Sequence, residues 1–412
     1  MLRRQLLHFG AYTLAGLPLG LVQAQDAKPR KLVVVMLRGA VDGLSVVAPY
    51  GERAYAADRP GIAIPAPGAD GGMLKLDSLF GLHPSLSPLK KHWDAGSLAF
   101  VHASGSPDPT RSHFDAQDYL ESGTPGRKST PDGWMNRLLG ALPGEPAPTR
   151  AISQGSTPPR IFAGPAPVAS LGLGPKAMDR RAIDNPTLQA GLAKLYANDP
   201  TLNATLHDTT EGRGEMARSM AAVEREEKAT DPSADAGAQS ARSFAADARR
   251  LGQLIRKDPH TQLAFTSVGG WDTHVNQGSA QGQLANRLAS LGDGLDALAA
   301  GLGDALKDTV IVVMSEFGRT VRQNGTGGTD HGRGNVMWIL GGSVAGGQVL
   351  GEWPGLDTAA LADGRDLAVR TDFRQVLVPV LQRHLGLNDA GLARVLPQAP
   401  PSWAQAGKLL RA

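Results

Sequence analysis

The sequence contains no cysteine. That excludes disulfides, thiolate nucleophiles and cysteine-based zinc sites, and it leaves stability to the apolar core. Neither sign of charge is in excess: 42 Lys+Arg against 39 Asp+Glu give +3, which argues against nucleic acid as a partner. No apolar run is long enough for a permanent membrane span. The nearest approach, from Leu6 to Val22, is short and interrupted by glycine.

That stretch reads instead as part of an export signal. Arg3-Arg4 open a short positive region, the apolar run follows, and Val22-Gln23-Ala24 fits a small-residue cleavage site. The mature chain is then expected to begin at Gln25. Paired arginines point to the twin-arginine route, which carries folded cargo; a general secretory signal that happens to hold two arginines is the other reading. Either one predicts a periplasmic or extracellular protein. Loss of residues 1–24, whose charged groups are Arg3 and Arg4, lowers the charge from +3 to +1.

The remainder has the composition of a folded protein, with 41% hydrophobic and 20% charged residues in a chain of 412. Apolar runs rich in β-branched residues recur at Lys31–Leu37, Ser97–His102, Leu263–Val268, Thr309–Met314 and Asn335–Leu340. The first lacks the alternation of a half-exposed strand and reads as buried on both faces. Between the third and fourth runs, Leu284, Leu288, Leu291, Leu295, Leu298 and Leu302 recur at helical spacing. Strands alternating with helices predict an α/β fold: a doubly wound, mostly parallel sheet with helices on both faces. We expect one domain over 25–412, with a helical insertion at about 175–248 and a loop at Asp231–Asp235. In such sheets functional groups gather beyond the carboxyl ends of the strands.

Four polar clusters follow those runs. Asp42 lies just past the first, in Arg38-Gly39-Ala40-Val41-Asp42-Gly43, where a metal-binding carboxylate or a helix-capping turn residue would sit. The second leads to Thr110-Arg111-Ser112-His113-Phe114. There Ser112 reads as a hydroxyl at a helix start, either a plain cap or a nucleophile, and Arg111 as a clamp for an oxyanion. The third ends at Gly269-Gly270-Trp271-Asp272-Thr273-His274; two residues apart in an extended segment, Asp272 and His274 share a face and suit zinc or a similar divalent ion. The fourth delivers Ser315-Glu316-Phe317-Gly318-Arg319, then a glycine-rich loop ending at Asp330-His331. Four such clusters at four strand ends are poorly explained as separate accidents.

These stretches, with Leu32–Pro49, Gly81–Pro84 and Asp363–Thr371, resemble the domain of unknown function 1501 family, exported bacterial proteins placed in the alkaline phosphatase and sulfatase superfamily. The resemblance covers nearly the whole mature chain. It implies an alkaline phosphatase/sulfatase-like fold and a metal-dependent hydrolase of phosphate or sulfate esters. It also implies one or two divalent ions, zinc, calcium or similar, and a small-molecule, glycan or lipid ester as substrate. A non-catalytic binding protein using the same cleft is the alternative. Carried over by position, Asp42, Asp272, His274, Glu316 and His331 fall at metal-ligand positions, and Ser112 becomes the nucleophile, with Thr110 as its rival. Taken with the residues themselves, we expect these ligands and Asp330 to hold the metal or support it, and Arg111 and Arg319 to bind the anionic group. Two departures stand out. Phe317 occupies the place of a second histidine ligand, and the Asp272/His274 pair is more tightly spaced than usual.

Overall fold

The computed structural model describes residues 29–155, 158–174, 182–227 and 241–411. The export signal expected at 1–24 and the loop expected at Asp231–Asp235 lie outside them. Nine strands form one mixed, mostly parallel sheet: β1 (Lys31–Arg38), β2 (Leu98–Gly105), β3 (Ala151–Gln154), β4 (Ala169–Leu171), β5 (Leu263–Gly269), β6 (Thr309–Ser315), β7 (Asn335–Gly341), β8 (Gln348–Leu350) and β9 (Thr371–Asp372). The spatial order is β8-β2-β7-β6-β1-β5-β3-β4, with β9 beside β2. All five expected strands are present. The short strands β3, β4, β8 and β9 escaped the sequence reading because none has an apolar run.

The central strand shows why the sheet is covered on both sides. Val33, Val35 and Leu37 enter one apolar core, and Leu32, Val34 and Met36 the other, as the two-residue strand period requires. The helices include α1 (His113–Ser122), α2 (Trp134–Ala141), α3 (Pro186–Leu195), α4 (Pro200–Glu227), α5 (Ala241–Lys257), α6 (Gln283–Leu302) and α7 (Phe373–Pro379), and all of these but α3 supply those cores. The leucine spacing of α6 meets Leu251, Leu254 and Ile255 of α5 in the first core; α2 and α7 fill the second. Complete burial stabilises by about 1.5–3 kcal/mol for each such side chain. Within the stretch read as an insertion, α3 has no buried residue, whereas Met216 of α4 reaches the first core. Helix α5 runs on past 248 into the body of the fold.

Register positions the site. Parallel pairing sets Arg38 opposite Gly269 and Leu37 opposite Ser315, so β1, β5 and β6 end at one level. Strand β7 runs antiparallel to both β6 and β2, and its first residue, Asn335, pairs with Ser104 at the end of β2. The loop before β7 therefore opens on the same edge as the segments after β1, β2, β5 and β6.

Candidate metal centre

Each of those segments contributes to one centre. After β5 the chain turns at Gly270 and extends through Asp272 and His274. Gly39, just after β1, has φ +114, and a Cβ there would lie 2.9 Å from the Asp272 nitrogen; only glycine lets the two loops approach so closely. Beyond β6, Arg319 bridges to His331 on the loop entering β7. Beyond β2, Ser112 caps α1, and His113 is the helix's first residue.

Three imidazoles and one carboxylate meet there. Nε2 of His331 lies 3.1 Å from Nε2 of His113 and 3.1 Å from Nε2 of His274. Asp272 Oδ1 is 2.9 Å from His274 Nε2 and 3.2 Å from His331 Nε2, and its Oδ2 is 3.6 Å from His113 Nε2. Every imidazole is held from behind by its other nitrogen. His113 Nδ1 meets Glu316 Oε1 at 2.8 Å, His274 Nδ1 meets Asp330 Oδ1 at 3.3 Å, and His331 Nδ1 meets the Arg111 carbonyl at 2.9 Å. Those acceptors draw the ring protons onto Nδ1, which leaves three Nε2 lone pairs and a carboxylate facing one another. Such a set repels itself unless a cation lies among its members. With zinc–nitrogen bonds of about 2.0–2.1 Å, the ligand atoms of His113, Asp272 and His331, all within 4.8 Å of one another, fall within reach of one ion, and His274 Nε2 lies against two of them. Donor type and second-nitrogen support both fit a metal centre.

The electrostatics agree. A hydrogen bond to Glu316 raises the His113 pKa, whereas burial lowers that of His331. Burial alone would raise Asp272, but Arg319 and the neighbouring imidazoles outweigh it and hold the carboxyl below its ordinary range. Glu316, wholly buried, is likewise held low against its desolvation by His113, Gln117 and backbone N–H groups that include that of Gly39. The mouth is open: Asp272 is 42% exposed and His274 40%, and the next residue after His113, Phe114, is 90% exposed.

Three expected roles are corrected. Asp42 is fully buried and salt-bridged to the equally buried Arg59 at 2.6 Å; it also accepts from Ser45 and Gln277. Its cation is a guanidinium, which leaves the carboxylate no free lone pair directed at the imidazoles. It is tied to the centre only through a relay: Gln277 donates to Asp42 and accepts from Thr329, which accepts from Arg319. Arg319 is not free for an anion, because it is buried and donates to Asp272 at 2.6 Å and to the Thr329 carbonyl. The Arg111 side chain pairs with Asp366 at 2.5 Å and Asp363 at 3.0 Å. Asp272, His274 and His331 do meet, whereas Glu316 and Asp330 stand behind the rings of His113 and His274.

Ser112 accepts weakly from the Asp115 nitrogen at 3.5 Å, and the Thr110 hydroxyl accepts from the Ser112 nitrogen. Phe317 builds a wall, its ring centroid 4.9 Å from that of His113 and 5.1 Å from that of His331. His113 itself was missed by sequence reasoning; the available signal was a histidine directly after the helix cap Ser112. Its ligand atom, with those of Asp272 and His331, lies within a 4.8 Å group.

Fold and site together define an α/β protein with an open, histidine-rich centre at the carboxyl edge of a mixed sheet. The chain belongs to the family described as protein of unknown function (DUF1501), whose model matches residues 29–398. No curated protein matches its sequence. Among solved structures it is similar to Ps i-CgsB in complex with k-i-k-neocarrahexaose, at 12% identity and TM-score 0.39, over 88% of this chain and 73% of that one. It is similar to a protein in the alkaline phosphatase superfamily from Vibrio parahaemolyticus, at 11% identity and TM-score 0.35, over 79% and 63%. A third is the zinc complex of the C-terminal periplasmic domain of EcEptC from Escherichia coli, at 13% identity and TM-score 0.34, over 76% and 73%. Among the described residues no helix is long and apolar enough to cross a membrane.

Proposed function

We propose that the protein is an exported, zinc-dependent hydrolase of phosphate or sulfate esters. The observation that carries this reading is the convergence of three Nε2 atoms and Asp272 at a solvent-open point, each imidazole fixed through Nδ1. Imidazole donors suit zinc; calcium and magnesium prefer all-oxygen sets. An open position is what separates a catalytic zinc site from a closed structural one. Bound there, the ion would act as a Lewis acid on the ester's oxygens.

The chain's own residues divide the remaining work. Glu316, Asp330 and the Arg111 carbonyl aim the imidazoles, and Arg319 holds Asp272. Phe317 excludes water from one side of the rings. Ser112, adjacent to His113 and only weakly committed as a cap, is the nucleophile of this reading: its oxygen attacks phosphorus or sulfur, the alcohol departs, and water then frees the anion. With Arg111 and Arg319 occupied, Arg333 is the cation assigned to the anionic group. It lies two residues beyond His331, and its buried Nε has no acceptor among the described residues.

Metal analysis of the purified protein and turnover of nitrophenyl phosphate and sulfate test the proposal. Ser112→Ala should abolish turnover with zinc content unchanged, while Thr110→Ala does much less. Full activity in Ser112→Ala would move the attack to Thr110 or water. A wild-type protein that binds no metal and cleaves no ester would leave only the binding role. Export predicts a mature N-terminus at Gln25.

A further inference from the structure

Two of the three imidazoles depend on a residue far along the chain. Asp366 is fully buried in the turn that closes the segment from Leu361. Its Oδ2 accepts from Arg111 Nε at 3.0 Å and Nη2 at 2.5 Å, and its Oδ1 accepts from Arg365 Nε at 3.0 Å. Both arginines then reach His331, by different ends. The Arg111 carbonyl accepts from His331 Nδ1 at 2.9 Å, and Arg365 Nη2 donates to the His331 carbonyl at 2.6 Å. One carboxylate thus brackets both the ring and the main chain of the same histidine. Arg111 also lies two residues before His113, so its anchoring fixes the start of α1 as well.

We propose that Asp366 is a positioning residue of the three-imidazole centre, holding His331 in its Nδ1–H form and His113 in place through Arg111. Asp366 is itself secured through backbone bridges to Thr320 and Ala362, and Thr320 follows Arg319, which holds Asp272. Asp363 also pairs with Arg111, but its side chain is 67% exposed, and exposed pairs hold little. The buried partner is the one that fixes geometry. A negative charge is required because two guanidinium groups converge there; a neutral amide would accept from one and present its own donors to the other.

The effect on metal rests on the zinc reading above, whereas the effect on His331 does not. Two readouts therefore separate them: zinc affinity by chelator competition, and the His331 tautomer by long-range proton–nitrogen NMR of histidine-labelled, metal-free protein. Asp366→Asn should weaken zinc binding by roughly 10–100-fold and convert His331 from Nδ1–H to a mixture of tautomers. Arg111→Ala, which removes one half-buried arm and spares the buried carboxylate, should shift both readouts the same way by less. Asp363→Asn should move neither. If Asp366→Asn and Arg111→Ala both retain wild-type affinity and a pure Nδ1–H tautomer, the proposal is overturned and Asp366 is only a structural tie. If Asp366→Asn does not fold, an unchanged tautomer in Arg111→Ala overturns it alone. If the wild-type protein takes up no zinc, the metal reading fails and the tautomer still decides the role of Asp366.

Discussion

Replacing Glu316 by Gln tests how much of the centre is organised from behind. Glu316 Oε1 accepts from three groups, the Gly39 nitrogen at 2.7 Å, His113 Nδ1 at 2.8 Å and Gln117 Nε2 at 3.0 Å. Oε2 accepts from Ser315 Oγ at 3.0 Å. Glutamine keeps the shape, but an amide oxygen with two lone pairs cannot serve three donors well. Hydrogen bonds to a charged group contribute about 1.5–3 kcal/mol against about 0.5–1.5 for neutral ones. The bond to His113 should therefore weaken by about 1–2 kcal/mol, a loss of zinc affinity near tenfold at neutral pH. The pH dependence adds a second signature. Zinc must displace any proton on His113, whose pKa Glu316 raises above its ordinary 6.5. Below 6.5 the charged His113–Glu316 pair stabilises the metal-free fold, and that contribution is lost as pH rises through the raised value. Without the carboxylate, the midpoint of zinc uptake should move to lower pH. Chelator competition from pH 5 to 9 measures both effects. An unchanged affinity together with an unchanged midpoint would refute the claim that Glu316 aims and charges His113.

Other expectations follow from the same contacts. Asp42→Asn leaves Arg59 buried without its counter-charge and should destabilise by about 3–5 kcal/mol, read by urea unfolding, while the folded fraction keeps its zinc; loss of zinc without loss of stability would restore Asp42 as a ligand. His83 and His102 are pushed down to about 4 by burial. Their neutral forms thus stabilise the fold above pH 6.5, and each contribution, ~3 kcal/mol, is lost as pH falls toward 4. Unfolding midpoints that stay flat over that window would contradict it. Arg333→Ala should raise KM for an anionic ester several-fold with little change in zinc content; an unchanged KM would remove Arg333 from the site.

The strands were legible because burial on both faces leaves a continuous apolar run, as in Val33-Val34-Val35. The reversed direction of β7 was not, since Asn335–Leu340 reads alike whether parallel or antiparallel. The polar clusters were legible as positions, because a carboxylate or histidine beside glycine at a strand end is visible in one dimension. Their roles were not. Asp42 and Asp272 follow comparable strands, yet one faces Arg59 and the other three imidazoles. The difference comes from which cation folding brings nearby, and Arg59 lies in a segment without any distinguishing motif. His113 is illegible for a related reason: in one dimension it is only the residue beside the helix cap Ser112, while in three its ring reaches inward to Glu316.

Pairing of the nearby arginines has a consequence for the charge of the centre. Asp272 is the only carboxylate among the four converging groups, and Arg319 already neutralises much of its charge. Glu316 and Asp330 bind the far nitrogens of imidazoles, so their charge acts at longer range. A divalent ion held by three neutral rings and one half-neutralised carboxylate would keep most of its positive charge toward solvent. Coulomb attraction at an open mouth then favours an anionic ligand without Arg111 or Arg319 in direct contact. Had Arg319 been free to clamp the substrate, Asp272 would have offset half the ion's charge instead. On the proposed reading, committing Arg319 to Asp272 would leave the positive field on the ion, placed to meet charge developing on an ester's oxygens.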